Sequence, residues 1–252
     1  MQCLEFKSPR SRPDRERRRP PPPTRSVLPA LTSFVFKGVS EYLEDLMSGI
    51  DAPQLGELSI TFFHQLIFDT PQLIQFISRI PTLGAHNTPQ ARHNIPRARH
   101  NIFRHNEPQA HLVFDGGAAY VTVPRLNGMF RIGTLCRQLD WQLSALAQLC
   151  ASSFPQILIP TVEHLYIVEN PFFHWQDDIE NSRWLEILHP FTGVKDLYLS
   201  REFVPRVAPS LQELVGGRVT ESLPVLQGIH LGEGYRKSQP VEKAIGEFVG
   251  TR

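Results

Sequence analysis

Five of the ten histidines fall between positions 86 and 111, at His86, His93, His100, His105 and His111. Imidazoles gathered at that density bind zinc, copper or nickel, so metal ligation is the first chemistry to weigh. The order of the residues argues against it. Ala91-Arg92-His93-Asn94-Ile95-Pro96-Arg97 is followed directly by Ala98-Arg99-His100-Asn101-Ile102-Phe103-Arg104, with six of seven positions identical. A local duplication of this kind multiplies histidines without selecting for ligation. Arginines interleave with them and no cysteine lies nearby, so the segment reads as a flexible His/Arg-rich insertion at about 85–110 with no metal.

A second candidate is Trp175-Gln176-Asp177-Asp178-Ile179-Glu180, three carboxylates beside an aromatic. A calcium loop needs ligands at alternating positions around a central glycine, which this run lacks. Acidic residues just ahead of a helix complement its N-terminal dipole, and that is the reading adopted. There is no G-x-S-x-G, no phosphate-binding P-loop and no G-x-G-x-x-G. Cys3, Cys136 and Cys150 are an odd number without C-x-x-C spacing, which disfavours a disulfide framework and a zinc site. Cys136 and Cys150 sit in apolar contexts, where a thiol acts as packing. The chain is therefore read as a non-enzyme without a cofactor.

The elements that would position any site follow from a repeat. The pattern apolar-x-x-apolar-x-apolar occurs at Leu31/Phe34/Phe36, Leu55/Leu58/Ile60, Val162/Leu165/Ile167, Val194/Leu197/Leu199 and Leu226/Ile229/Leu231. Its last two apolar positions lie two apart, on one face of a short strand. Helical patterns fall between: Glu41–Ile50 capped by Ser40, Gln72–Ile80 behind Thr70-Pro71, and a helix from Asp140 with Leu143, Leu146, Ala147 and Cys150 on one side. Others run from Asn181 through Trp184, Leu185 and Leu188, from Pro209 to Val215, and from Val241 to Val249. Strands spaced 24 to 32 residues apart with helices between them predict an α/β fold. The specific expectation is a leucine-rich-repeat-like solenoid, with short parallel strands alternating with helices. The 107 residues between the second and third markers have room for about three more units. Leu112-Val113-Phe114 and Ile132–Leu135 are partial matches.

Composition bounds the rest. The 252 residues are 41% hydrophobic and 20% charged, with 26 basic and 25 acidic side chains. That balance excludes a disordered chain and gives no general pull toward nucleic acid. Residues 1–26 hold eight Lys/Arg and three Asp/Glu, leaving 18 basic against 22 acidic residues in the remainder. Residues 1–7 read as a partial repeat strand, 8–26 as a basic, proline-rich disordered loop around Arg17-Arg18-Arg19 and Pro20–Pro23, and 27–252 as the repeat domain. A repeat array that opens on such a strand would leave an apolar edge at Leu4 and Phe6. No apolar run approaches membrane-spanning length. No secretory leader is seen at the N-terminus, and an intracellular place, cytoplasmic or nuclear, is expected.

In a solenoid the residue between the last two apolar positions faces the side where partners bind. Here those residues are Val35, Ser59, Tyr166, Tyr198 and His230. Tyr166, Tyr198 and His230 would form a stripe flanked by His164, Lys195 and Asp196, and aromatics anchor protein interfaces. These six are the predicted partner-binding residues. The alternative is a nuclear or nucleic-acid adaptor acting through Arg10–Arg25.

The segments Leu28-PALTSFVFKGVSEYLEDL, Ile60-TFFHQLIFDTPQLIQFISR, Leu139-DWQLSALAQ, Val162-EHLYI, Trp175-QDDIENSRWLEILHPFTGVKDLYLS and Ala208-PSLQELVG resemble a family of mushroom-forming-fungus proteins, the F-box or leucine-rich-repeat proteins. The resemblance implies the target-binding repeats of a ubiquitin-ligase receptor. In that family an F-box binds a Skp-type adaptor and the repeats hold the protein target. The F-box segment is absent here, so the resemblance implies either a portion of a longer receptor or a gene fragment without a role. The His86–Pro108 stretch departs from the family pattern.

Overall fold

The computed structural model describes residues 2–10, 24–63, 65, 67–81, 108–125, 128–154, 158–169, 180–200, 203–214 and 222–231. Eleven strands and five helices lie among them. In chain order they are β1 (Gln2–Lys7), β2 (Ser26–Val27), β3 (Leu31–Gly38), α1 (Ser40–Gly49), β4 (Ile50–Asp51), β5 (Glu57–Phe63) and α2 (Pro71–Ser78). There follow β6 (Gln109–Asp115), β7 (Ala118–Arg125), β8 (Gly128–Leu135), α3 (Leu139–Ser152), β9 (His164–Glu169), α4 (Asn181–Leu188), β10 (Asp196–Leu199), α5 (Val204–Leu214) and β11 (Gly228–Leu231). Nine strands form one sheet in the order β1-β3-β5-β8-β7-β6-β9-β10-β11, and β2 and β4 form a parallel pair of their own.

The protein is thus α/β with a mostly parallel central sheet. Thirteen of the fifteen repeat positions are buried, and Ile229 and Leu231 are partly so. They share one core with the inner residues of the helices, including Leu43, Met47, Phe76, Leu146, Trp184 and Leu211. One stripe of each amphipathic helix faces the same apolar rows of the sheet. Under the middle, Phe114, Trp184 and Phe203 meet edge to face at 5.2–5.9 Å.

The centre of the sheet departs from the repeat. Instead of further parallel units, β6, β7 and β8 make an up-and-down meander, with β7 antiparallel to both neighbours. Asp115 and Ala118 pair across a two-residue Gly116-Gly117 turn, and the Asp115 carboxylate accepts a bond from the Gly117 amide (2.8 Å). A two-residue loop of this kind joins antiparallel strands, so the chain reverses here and does not cross over to a parallel neighbour. The meander's ends still run with the array, β8 parallel to β5 and β6 parallel to β9.

Helix ends also differ from expectation. Ser40 is the first helical residue, and the Gln65 side chain accepts from its amide (3.2 Å) while donating to its hydroxyl (2.9 Å). Thr70 precedes α2 with Pro71 at its start, but its hydroxyl bonds Ser153 (2.7 Å). The Glu44 carboxylate of α1 caps α2 instead, taking the amides of Gln72 (2.7 Å) and Leu73 (3.0 Å). Helix α5 begins five residues earlier than predicted, with Pro209 inside it. Its first turn is built on Ser200 and Phe203 carbonyls, and Pro205 stands where no intrahelical amide is required. The predicted helix at Val241–Val249 lies outside the described residues, as do most of the 8–26 loop and the duplicated block.

Among the described residues no helix is long and apolar enough to cross a membrane. Leu4 and Phe6 of β1 pair with Phe34 and Phe36 in register, yet each is 38% exposed.

Candidate functional site

The sheet face away from the core carries one unbroken row. Pairing places Glu5, Val35, Ser59, Arg131, Thr122, His111, Tyr166, Tyr198 and His230 side by side on successive strands. Adjacent strands lie about 4.8 Å apart, close to the thickness of an aromatic ring pair, so in-register rings must stack. They do. His111–Tyr166, Tyr166–Tyr198 and Tyr198–His230 have centroids 4.7, 4.3 and 4.4 Å apart, with planes 10°, 11° and 15° from parallel. Tyr166 is 8% exposed, whereas Tyr198 is half-buried and His230 exposed. Tyr198 and His230 therefore offer the contact area, and Tyr166 and His111 support them from within.

Two residues toward the strand starts, Asp196 holds the stack's outer end. Its Oδ2 lies 3.2 Å from His164 Nδ1 and its Oδ1 3.0 Å from His230 Nε2. Gly228 makes room for this arrangement. A Cβ there would stand 2.6 Å from Asp196 Oδ1 and 3.0 Å from His230 Nε2. Lys195 lies one residue before the strand, outside the row, and pairs with Glu163 (2.9 Å). The structure thus brings Tyr166, Tyr198, His230, His164 and Asp196 into one group and leaves Lys195 at its border.

Three features were missed from sequence. His111 belongs to the stack, and burial pushes its imidazole down to about 4, so it is neutral near pH 7. Its signal is the alternation Ala110-x-Leu112-x-Phe114, all buried, which marks the residues between as face positions. Small Ala110 hid it. Arg131 extends the row, its guanidinium carbon 3.7 Å from the Tyr120 ring centroid. Tyr120 reaches that position by lying across Gly133, its register partner, where a Cβ would collide with the ring and with the Ala119 carbonyl. Burial raises the Tyr120 phenol, with Arg131 opposing. Lys7 and Lys37 stand side by side two residues further along β1 and β3, both exposed.

Among the described residues no group of three or more His, Cys, Asp or Glu is placed to hold a metal. His86, His93, His100 and His105 lie outside them, as do Trp175–Ile179. Glu180 directly precedes α4. Cys3, Cys136 and Cys150 are all free thiols, and burial raises that of Cys150.

Among the described residues the helices pack on one side of the α/β sheet and a graded row of side chains lies on the other. No protein-family model, curated protein or solved structure matches the chain.

Proposed function

We propose that the chain is a non-enzymatic recognition module, a leucine-rich-repeat-like solenoid whose open sheet face binds another protein. The observation carrying this is the four-ring stack His111–Tyr166–Tyr198–His230. Rings locked by their neighbours have already lost their rotamer freedom, so contact through them costs little further entropy. Tyrosine is also among the side chains that most often anchor interfaces. The solenoid reading is supported by the buried repeat ladder and by its parallel pairing at both ends of the sheet. On the family resemblance, the bound protein would be a ubiquitination target, with attachment to a Skp-type adaptor supplied by an F-box in a longer chain.

The test uses peptides selected from a displayed random library on the full chain. Tyr198→Ala and His230→Ala together should abolish their retention while leaving circular dichroism unchanged. Undiminished retention on that double variant overturns the reading.

A further inference from the structure

We propose that the partner segment is acidic and docks with a carboxylate on Arg131, its flanking acids reaching Lys37 and Lys7. This rests on the reading of the open face as a protein-binding surface and names the chemistry of what it takes.

The observation is an unsatisfied cation. Arg131 sits in the same row as the aromatic stack, between Ser59 and Thr122. Its guanidinium lies over the Tyr120 ring at 3.7 Å, and among the described residues it has no ion pair. Its Nε is buried without a hydrogen-bond partner. That atom lies out of a ligand's reach, but the two terminal nitrogens of a guanidinium still present a planar fork that matches a carboxylate in bidentate fashion. Stacking on Tyr120 holds that fork in a fixed plane before any ligand arrives. Lys7 and Lys37 are likewise without an ion pair among the described residues.

The acids on this face are placed and occupied differently. Glu57 accepts from Ser33 Oγ (3.0 Å), and Asp196 is shared by two histidines. Both lie in the row two residues nearer the strand starts, whereas Lys7 and Lys37 lie two residues nearer the strand ends. The face thus carries Glu57 and Asp196 along one border and Lys7 and Lys37 along the other, with Glu5 in the row between them at the β1 edge, which sets an acidic segment along the lysine border near β3 and β8.

A polynucleotide is anionic too, but the stack does not suit it. Both faces of Tyr166 and of Tyr198 are covered by neighbouring rings, so neither can take a base. A continuous phosphate chain would also meet Glu57 and Asp196.

Geometry fixes a spacing. Arg131 on β8 and Tyr198 on β10 are four strands apart, about 19 Å at the usual interstrand distance. An extended peptide covers that in about six residues, so the ligand pairs an acid with an aromatic or large apolar residue about six positions away.

The experiment pans a displayed library of random peptides, each about 12 residues long, on the full chain and sequences the survivors. Enrichment of peptides with that acid-to-aromatic spacing is expected. The best synthetic peptide should bind about tenfold more weakly to Arg131→Met and about threefold more weakly to Lys37→Glu, with the deficit shrinking as salt rises. Lys37 is exposed, so its variant folds even where loss of Arg131 disturbs Tyr120. Survivors lacking acids, or acidic ones indifferent to both substitutions, overturn the acidic-segment proposal while Tyr198-dependent binding keeps the broader reading. Survivors indifferent to Tyr198→Ala, or displaced by oligouridylate at equal charge, overturn both.

Discussion

On the β9–β11 side of the open face, charge is answered from within: Asp196 meets His164 and His230, and Lys195 meets Glu163. On the β1–β8 side, Lys7, Lys37 and Arg131 meet no carboxylate among the described residues. Both halves hang from the same apolar ladder, with Phe34, Leu58, Leu165 and Leu197 all fully buried. The core therefore does not explain the difference. One half is a stacked aromatic surface whose charges pair with one another, and the other holds cations that pair with no carboxylate among the described residues. Each half also owes its geometry to one glycine: Gly133 gives way to the Tyr120 ring beneath Arg131, and Gly228 gives way to the Asp196–His230 pair.

Those glycines offer the sharpest way to separate the halves. Gly133 lies in the sheet's interior, and an added Cβ would strike the Ala119 backbone carbonyl as well as the ring. Backbone cannot step aside, so Gly133→Ala should cost about 2–4 kcal/mol in urea denaturation. Gly228 is on the terminal strand, and what its Cβ would meet are the mobile ends of two side chains. Gly228→Ala should cost only about 0.5–1 kcal/mol, mainly by parting the Asp196–His230 contact. Equal costs for the two would break the comparison.

The stack's worth follows next. Tyr198→Ala removes the ring between Tyr166 and His230 and should destabilise the fold by about 1–2 kcal/mol, since the ring is half-buried and stacked on both sides. A thermal melt of this variant beside Tyr120→Ala would show which half the fold leans on.

The apolar ladder, and with it the parallel strands, was legible from the sequence because a period-2 pattern with fixed spacing constrains one face at a time. So were Tyr166, Tyr198 and His230 as neighbours, since equal ladder positions in parallel strands share a row. The meander was not, although Asp115-Gly116-Gly117 carried a hairpin signal. A repeat expectation spanning 107 residues outweighed a local turn. The helix caps were illegible for a different reason. Gln65 and Glu44 reach their amides from 25 to 29 residues away, and no local pattern encodes that. Arg131 escaped notice because its environment is made by Tyr120 on a strand running the other way.

Acid titration should resolve the open face from the helix layer. Burial raises the Glu44 carboxyl to about 7, so the folded protein keeps a proton that the unfolded chain releases near 4.5. Stability from this group therefore falls as pH rises through 4.5–7. His111 has the opposite sign. It is held down to about 4, so between 6.5 and 4 the unfolded chain takes up a proton that the fold refuses, and stability falls as pH drops. Glu44→Gln should leave only the second limb, a loss of about 3 kcal/mol on acidification, and adding His111→Gln should flatten it. Denaturation midpoints from pH 4 to 7.5 read both. A Glu44→Gln profile that rose on acidification would contradict the burial of His111.

The smallest effect tests the comparison by its sign. Lys7 and Lys37 are register partners on adjacent strands, and like charges placed opposite each other repel. Lys37→Ala should therefore be neutral or stabilising, by less than about 0.5 kcal/mol at low salt, with the gain vanishing as the Debye length shortens. Asp196→Ala removes the hydrogen-bond partner of His230 and the carboxylate beside His164, and should cost about 0.5–1 kcal/mol. Opposite signs at low salt, with only the lysine's gain erased by high salt, are what a face with one paired and one unpaired half must give. If Lys37→Ala were as destabilising as Asp196→Ala, the lysine would already have an acid within the chain, and Arg131 would stand alone as the cation awaiting a partner.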